Sequence, residues 1–183
     1  MAPPPGTYCH AALGHRFHGP YHDREYGFPI REDDRLLERL VLEINQAGLS
    51  WLTILKKREG FRAAYADFSV ARVAAFGEAD KARLLEDAGI IRNRLKVDAA
   101  ISNANTILGL QASHGSFADW LDAQHPLDKD AWVKLLKKTF RFTGGDIIGE
   151  FLMSTGYLPG AHHPDCPVYE RVLAMNPPWT RVR

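Results

Sequence analysis

The stretch LEINQAGLSWLTILKK, residues 42–57, joins two helical patterns across a single glycine. Upstream of it, Leu36, Leu37, Leu40, Val41, Ile44 and Ala47 recur at helical spacing, starting from Asp33 or Asp34 as N-cap and stopping at Gly48. At ~100° per residue, Glu43 projects beside Leu36 and Leu40 at the edge of the apolar arc, whereas Leu42 points away from it. A carboxylate bordering a buried face either snorkels to water or needs a partner. Downstream, Ser50 is a good cap for a helix carrying Trp51, Leu52, Ile54 and Leu55. One acid, a possible apolar wedge at Leu49 and one large ring therefore fall close together, a combination that suits a pocket for a flat, electron-poor ring beside a nucleic-acid surface.

Working outward, short helical segments are expected over residues 61–68 and 69–76, and another helix through Leu84 and Leu85. Residues 87–94, DAGIIRNR, interrupt the pattern before a longer helix with Val97, Ile101, Ala104, Ile107 and Leu108. Helix, tight glycine turn and helix result. Such a turn leaves backbone N–H groups at the second helix start, where a phosphate oxygen can be held, and Arg92, Arg94 and Lys96 add charge around it. Gly89 read alone is equally an ordinary helix C-cap. Further helices are expected around 117–121, from about Asp130 after the Pro126 break, and finally over Ile147, Ile148, Phe151, Leu152 and Met153, ended by Gly156. No strand alternation of useful length and no internal repeat is found, so the fold class expected is all-α.

Both chain ends read as irregular arms, over residues 1–31 and 157–183. The first is dense in rings, with Tyr8, His10, His15, His18, Tyr21, His22 and Tyr26. Cys9, His22, His162 and Cys166 form a Cys2His2 set split between the two ends, with His163 an equal candidate to His162. Tetrahedral thiolate and imidazole ligation is what zinc prefers, and four protein ligands make a closed, structural site. Joining both ends would close a loop of more than a hundred residues, which constrains the unfolded chain strongly. No HExxH motif supports a metallohydrolase, and only two cysteines exclude a disulfide framework.

Over 183 residues, 45% apolar and 25% charged, the composition is that of a globular protein with one well-buried core or two small lobes sharing one. The net charge of +1 means that nucleic-acid binding rests on local patches such as 56–58, 92–96 and 134–141, each of which is otherwise a solvated helix face. MAPPPGTY at the start has no apolar targeting segment and no later run approaches the ~20 apolar residues of a membrane span. A cytoplasmic location is expected.

Four runs carry a resemblance: YHDREYGFP (21–29), LEINQAGLSWLTILKKREGFRAAY (42–65), EDAGIIRNRLKVDAAISNA (86–104) and KLLKKTFRFTG (134–144). Together with the terminal Cys/His set they resemble the 3-methyladenine DNA glycosylase I family, from about Tyr8 to Cys166. The resemblance implies a helix-hairpin-helix glycosylase bundle carrying one structural Zn2+, acting as a monomer on double-stranded DNA that contains an alkylated base. It implies hydrolytic, lyase-free release of N3-methyladenine. By the same resemblance Glu43 reads the damaged base as the catalytic carboxylate, Tyr21 and Trp51 bind it, and Leu49 after Gly48 fills the gap left by the flipped nucleotide. Gly89, Ile91, Arg92 and Arg94 belong to the phosphate-gripping hairpin, and Cys9, His22, His162 and Cys166 to the zinc clasp.

The match departs from the family at several places. His10-Ala11 stand where a Trp is common, Tyr26 replaces a Trp, Ile44-Asn45 replace a smaller residue and Gln, and the segment around Gly145-Asp146-Ile147 is altered. Tyr26 and Asp146 are accordingly expected at the base, with Asp146 otherwise a helix-terminus acid favoured by the dipole. A catalytically silent damaged-DNA-binding module and a glycosylase for another base are the alternatives these changes leave.

Overall fold

The computed structural model describes residues 3–181, whose regular structure is helical with no strand among them. Eleven helices follow in order: α1 (Tyr8–Ala12), α2 (His18–Arg24), α3 (Asp33–Gln46), α4 (Trp51–Ala64), α5 (Val70–Ala74), α6 (Glu78–Glu86), α7 (Arg94–His114), α8 (Phe117–Gln124), α9 (Lys129–Thr139), α10 (Gly145–Ser154) and α11 (Pro167–Ala174). The all-α expectation holds. The arms are more ordered than their composition suggests, because α1, α2 and α11 lie within residues expected to be irregular, and α10 is not the last helix. Five- and seven-residue helices such as α1 and α2 are too short to persist alone. They form here against the rest of the molecule.

α3 is the central element. Every residue from Leu36 to Asn45 is buried, as α4, α5, α7, α8 and α10 pack around it. Leu42, expected to point away from the apolar arc, is 1% exposed. A helix surrounded on all sides has no solvent face for periodicity to reveal. Each buried leucine contributes about 1.5–3 kcal/mol, and the cost of burying Glu38 and Arg39 is met by pairing. Glu38 accepts from Arg58 and Arg62 at 2.8 Å each. Glu25 accepts two bonds from Arg58 at 2.7 and 2.6 Å, and Arg39 donates to the Ser154 carbonyl at 3.0 Å.

Neither Asp33 nor Asp34 caps α3, whose N-cap is Glu32. Asp33 instead accepts the backbone N–H groups of Phe117 and Ala118 at the start of α8, and Asp34 that of Val70 at the start of α5. The residue type is a helix capper, as read, but the helices it caps lie 36 and 84 positions away.

α6, the turn and α7 form the expected hairpin. Asn93 caps α7 by accepting from Lys96 N at 3.2 Å, and within the turn Asp87 accepts from Gly89 N at 2.7 Å. The hairpin leans on α4: Lys57 Nζ donates to the Ala88 carbonyl at 2.6 Å. A Cβ on Gly60 would stand 2.5 Å from the Gly89 carbonyl oxygen, so this close approach requires glycine in the middle of α4.

Candidate base pocket and metal clasp

Where α3 ends, Gly48 adopts φ +80° and turns the chain toward α4. The turn is closed twice, by Leu49 N donating to the Gln46 carbonyl at 2.7 Å and by Gln46 Nε2 donating to the Leu49 carbonyl at 3.1 Å. This leaves the Leu49 side chain 39% exposed. Lys96, expected to add charge at the hairpin surface, does something else. It is 6% exposed and its ammonium donates to the carbonyls of Asn45 and Ala47 at 3.0 and 2.8 Å, capping the C-terminal end of α3. Arg92 and Arg94, by contrast, are exposed and join no ion pair among the described residues.

Beside this turn opens a cavity of about 670 Å³ lined by residues of α1, α2, α3, α4 and α10. Of the residues expected at a base, Tyr21, Tyr26, Glu43, Trp51 and Asp146 all line it, as does Gly48. Tyr8, Gln46 and Glu150 line it too, although the sequence reading did not place them there. Ala11, Ile44 and Asn45 do not. Ile44 is fully buried in the core, and Asn45 is buried with its amide on the Val41 carbonyl at 2.8 Å. The departures at Ile44 and Asn45 therefore act on packing, and Ala11 is exposed outside the cavity lining.

The wall is aromatic. Tyr21 and Trp51 have centroids 5.1 Å apart, Tyr21 and Tyr26 5.6 Å, and Tyr8 meets Tyr26 edge-on at 5.2 Å. The Tyr21 hydroxyl is buried without a hydrogen-bond partner, and the buried Trp51 indole N–H acts on the Tyr8 hydroxyl without closing a hydrogen bond of normal geometry. Glu43 is 4% exposed and likewise has no hydrogen-bond partner among the described residues. Burial pushes its carboxyl up to about 8, Arg39 pulling it down and Glu150 pushing it further up. Arg39 does not enter the cavity. Its guanidinium lies 4.9 Å from the Tyr21 ring centroid. Three unsatisfied polar groups on one cavity define a place where a ring with its own donors and acceptors completes the bonding.

Cys9, His22, His162 and Cys166 are all buried, and their ligand atoms lie within 4.8 Å of one another. The His22 Nε2 to His162 Nδ1 separation is 3.2 Å, and Cys166 Sγ stands 3.6 Å from His22 Nε2 and 3.8 Å from His162 Nδ1. The far ring nitrogens are held as a metal site holds them: His22 Nδ1 by Asp23 at 2.7 Å and His162 Nε2 by the Tyr26 carbonyl at 2.6 Å. Burial lowers His162 to about 4, keeping its imidazole neutral and able to ligate. The cluster could hold a metal ion. His162 rather than His163 belongs to it, since the half-exposed His163 ring turns to Asp165.

A family model described as methyladenine glycosylase matches residues 13–132. The chain is 39% identical to Escherichia coli DNA-3-methyladenine glycosylase 1, across 81% of this chain and 89% of that protein. It is 33% identical to the Haemophilus influenzae DNA-3-methyladenine glycosylase, across 80% and 89%. Among solved structures it is similar to 3-methyladenine DNA glycosylase I from Staphylococcus aureus, described for its recognition of 3-methyladenine, with TM-score 0.76 and 31% identity over 86% of this chain and 94% of that one.

Proposed function

The chain belongs to the methyladenine glycosylase family, and from that footing we propose that its aromatic cavity receives the damaged base. The protein is a DNA-3-methyladenine glycosylase of base-excision repair. The observation that carries the pocket assignment is the convergence of Glu43, the Tyr21 hydroxyl and the Trp51 N–H, all buried and unsatisfied, on one cavity.

A base inside a duplex is out of reach, so it is flipped, and a damaged, poorly stacked base costs least to flip. In this reading Leu49 fills the vacated space, while the N–H groups at the start of α7, with Arg92 and Arg94, hold the DNA backbone over Gly89 and Ile91. Methylation at N3 makes adenine a cation and a good leaving group. Trp51 and Tyr21 offer ring faces to that cation, and Glu43 accepts from the exocyclic amino group while water attacks the sugar carbon. Glu43 acts by charge and hydrogen bonding rather than by strong proton donation. Release is hydrolytic and without lyase chemistry in this reading. Asp146, exposed in the first turn of α10 at the cavity mouth, adds negative charge there.

We assign zinc to the clasp. Ligands at about 2.3 Å for sulfur and about 2.1 Å for nitrogen around a tetrahedral ion stand roughly 3.6 Å apart for S–N and roughly 3.4 Å for N–N, close to the separations found. Cys9, His22, His162 and Cys166 would hold it, and with four protein ligands its contribution is structural. Residues 1–183 then work as one catalytic unit, two helical lobes sharing one core, with arms 1–31 and 157–183 closed by the metal. No helix among the described residues is long and apolar enough to cross a membrane, and a cytoplasmic monomer fits this reading.

Incubating the protein with alkylated duplex DNA and identifying released bases by mass spectrometry tests the assignment. Release of 3-methyladenine by wild type and its loss in Glu43→Gln and Trp51→Ala is expected. Undiminished release by both variants would move the pocket elsewhere.

A further inference from the structure

Glu150 is the residue of the cavity that nothing above explains. It sits one helical turn beyond Asp146 on α10, so both carboxylates face the cavity that Glu43 lines from α3. The Tyr26 hydroxyl donates to Glu150 Oε2 at 3.1 Å, and the Tyr26 ring is fixed between Tyr8 and Tyr21. Tyr26 is 8% exposed, so this orientation is set by packing.

Among the described residues, three acids and no lysine, arginine or histidine line the cavity. The groups facing Glu43 are Arg39 from its own helix, Tyr8 from α1, Tyr21 from α2, Tyr26, Trp51 from α4, and Asp146 and Glu150 from α10. Arg39 is the one cation among them, and it is already committed to the Ser154 carbonyl and to Glu25 at 3.0 and 3.4 Å. One carboxylate suffices to accept an amino group. A second one nearby in an apolar wall is unfavourable until positive charge enters. The buried, unsatisfied Tyr21 hydroxyl and Trp51 N–H on the same wall show independently that a polar ligand belongs there.

We propose that Glu150, held toward Glu43 by Tyr26, is a specificity-determining residue that makes this pocket favour purines carrying a full positive charge over neutral purines of the same shape. It rests on the base-pocket reading and adds a residue, Glu150, through which that pocket reads the charge of its base. Bases alkylated without gaining charge are disfavoured.

The test uses two free-base probes, 3,9-dimethyladeninium, whose charge is fixed, and 9-methyladenine, which is neutral. Binding is titrated by tryptophan fluorescence in wild type, Glu150→Gln and Tyr26→Phe. Glu150→Gln is expected to weaken 3,9-dimethyladeninium by about tenfold, the equivalent of one unit of charge-state preference, and to leave 9-methyladenine unchanged. Tyr26→Phe should move affinity for the cation in the same direction by less. In Glu150→Gln the pH at which Glu43 ionises should also fall, which a packing role would not cause. Equal weakening of both probes, or of neither, overturns the proposal for Glu150 and leaves the base pocket standing. If neither probe binds wild type, the base-pocket reading fails as well.

Discussion

Glu43 holds its proton in the fold up to about 8 against an ordinary value of 4.5, because burial penalises the charged form. The unfolded chain releases that proton from the ordinary value upward while the folded one keeps it, so stability falls as pH rises across this window and levels off above it. Glu43→Gln removes the slope: the variant should gain up to a few kcal/mol over wild type toward the alkaline end and nothing at the acid end. Thermal melts across the window check this, and parallel curves would contradict it. Release of 3-methyladenine should meanwhile drop by roughly tenfold to a hundredfold. Glu43, Tyr21 and Trp51 were legible because they lie in short runs of strong identity. Gln46 was within reach, one helical turn after Glu43 on the same helix, whereas Tyr8 and Glu150 were not, because each reaches the cavity through a fold contact that no local pattern encodes. Arg39 is hidden for the same reason, its partners standing 14 and 115 residues away.

At the level of elements, the sequence shows where helices are and says less about what they do for each other. Periodicity located α3, α4, α7 and α10, and the glycine turn located the hairpin. What periodicity could not supply is partnership: Asp33 and Asp34 cap distant helices, and Lys96 leaves the surface to cap α3. Gly60 is a case in point, an unremarkable helix-interior glycine until the Gly89 carbonyl is seen against it. Gly60→Ala raises intrinsic helix propensity by about 1 kcal/mol, yet should destabilise the protein by about 1–3 kcal/mol, because backbone must move to admit the methyl group. The hairpin is what moves, so duplex affinity should fall while binding of a free base in the cavity stays near wild type. Filter binding and fluorescence titration separate the two. A stabilised variant with unchanged duplex affinity would show the contact to be compliant.

On the scale of the whole molecule, two constructions fix the arms, one joining them to each other and one joining the first of them to the body. One is the Cys/His clasp. Exhaustive chelation, or Cys9→Ser, should lower the melting temperature and loosen the Tyr21 to Tyr26 wall, with elemental analysis returning one zinc per chain before chelation and none after. The other is the network of Arg58 with Glu25 and Glu38. Burial pushes both carboxyls up, but the Arg58 guanidinium overrides it and holds them below 4.5. Their support is therefore present above the ordinary carboxylate value and lost only as pH falls through the lowered ones. Arg58→Met, which leaves the buried Glu38 with Arg62 alone and Glu25 with Arg39 alone, should cost about 1–3 kcal/mol at neutral pH and less in acid. A constant difference between the two proteins across acid denaturation would count against this. The bond from Lys96 to the last carbonyls of α3 has a wider consequence. It ties the start of α7 to the end of α3, so that in the proposed reading the phosphate grip and the Leu49 wedge share one support. A change at Lys96 would therefore be felt at the wedge and at the phosphate grip together, although its ammonium donates to neither Leu49 nor Arg92.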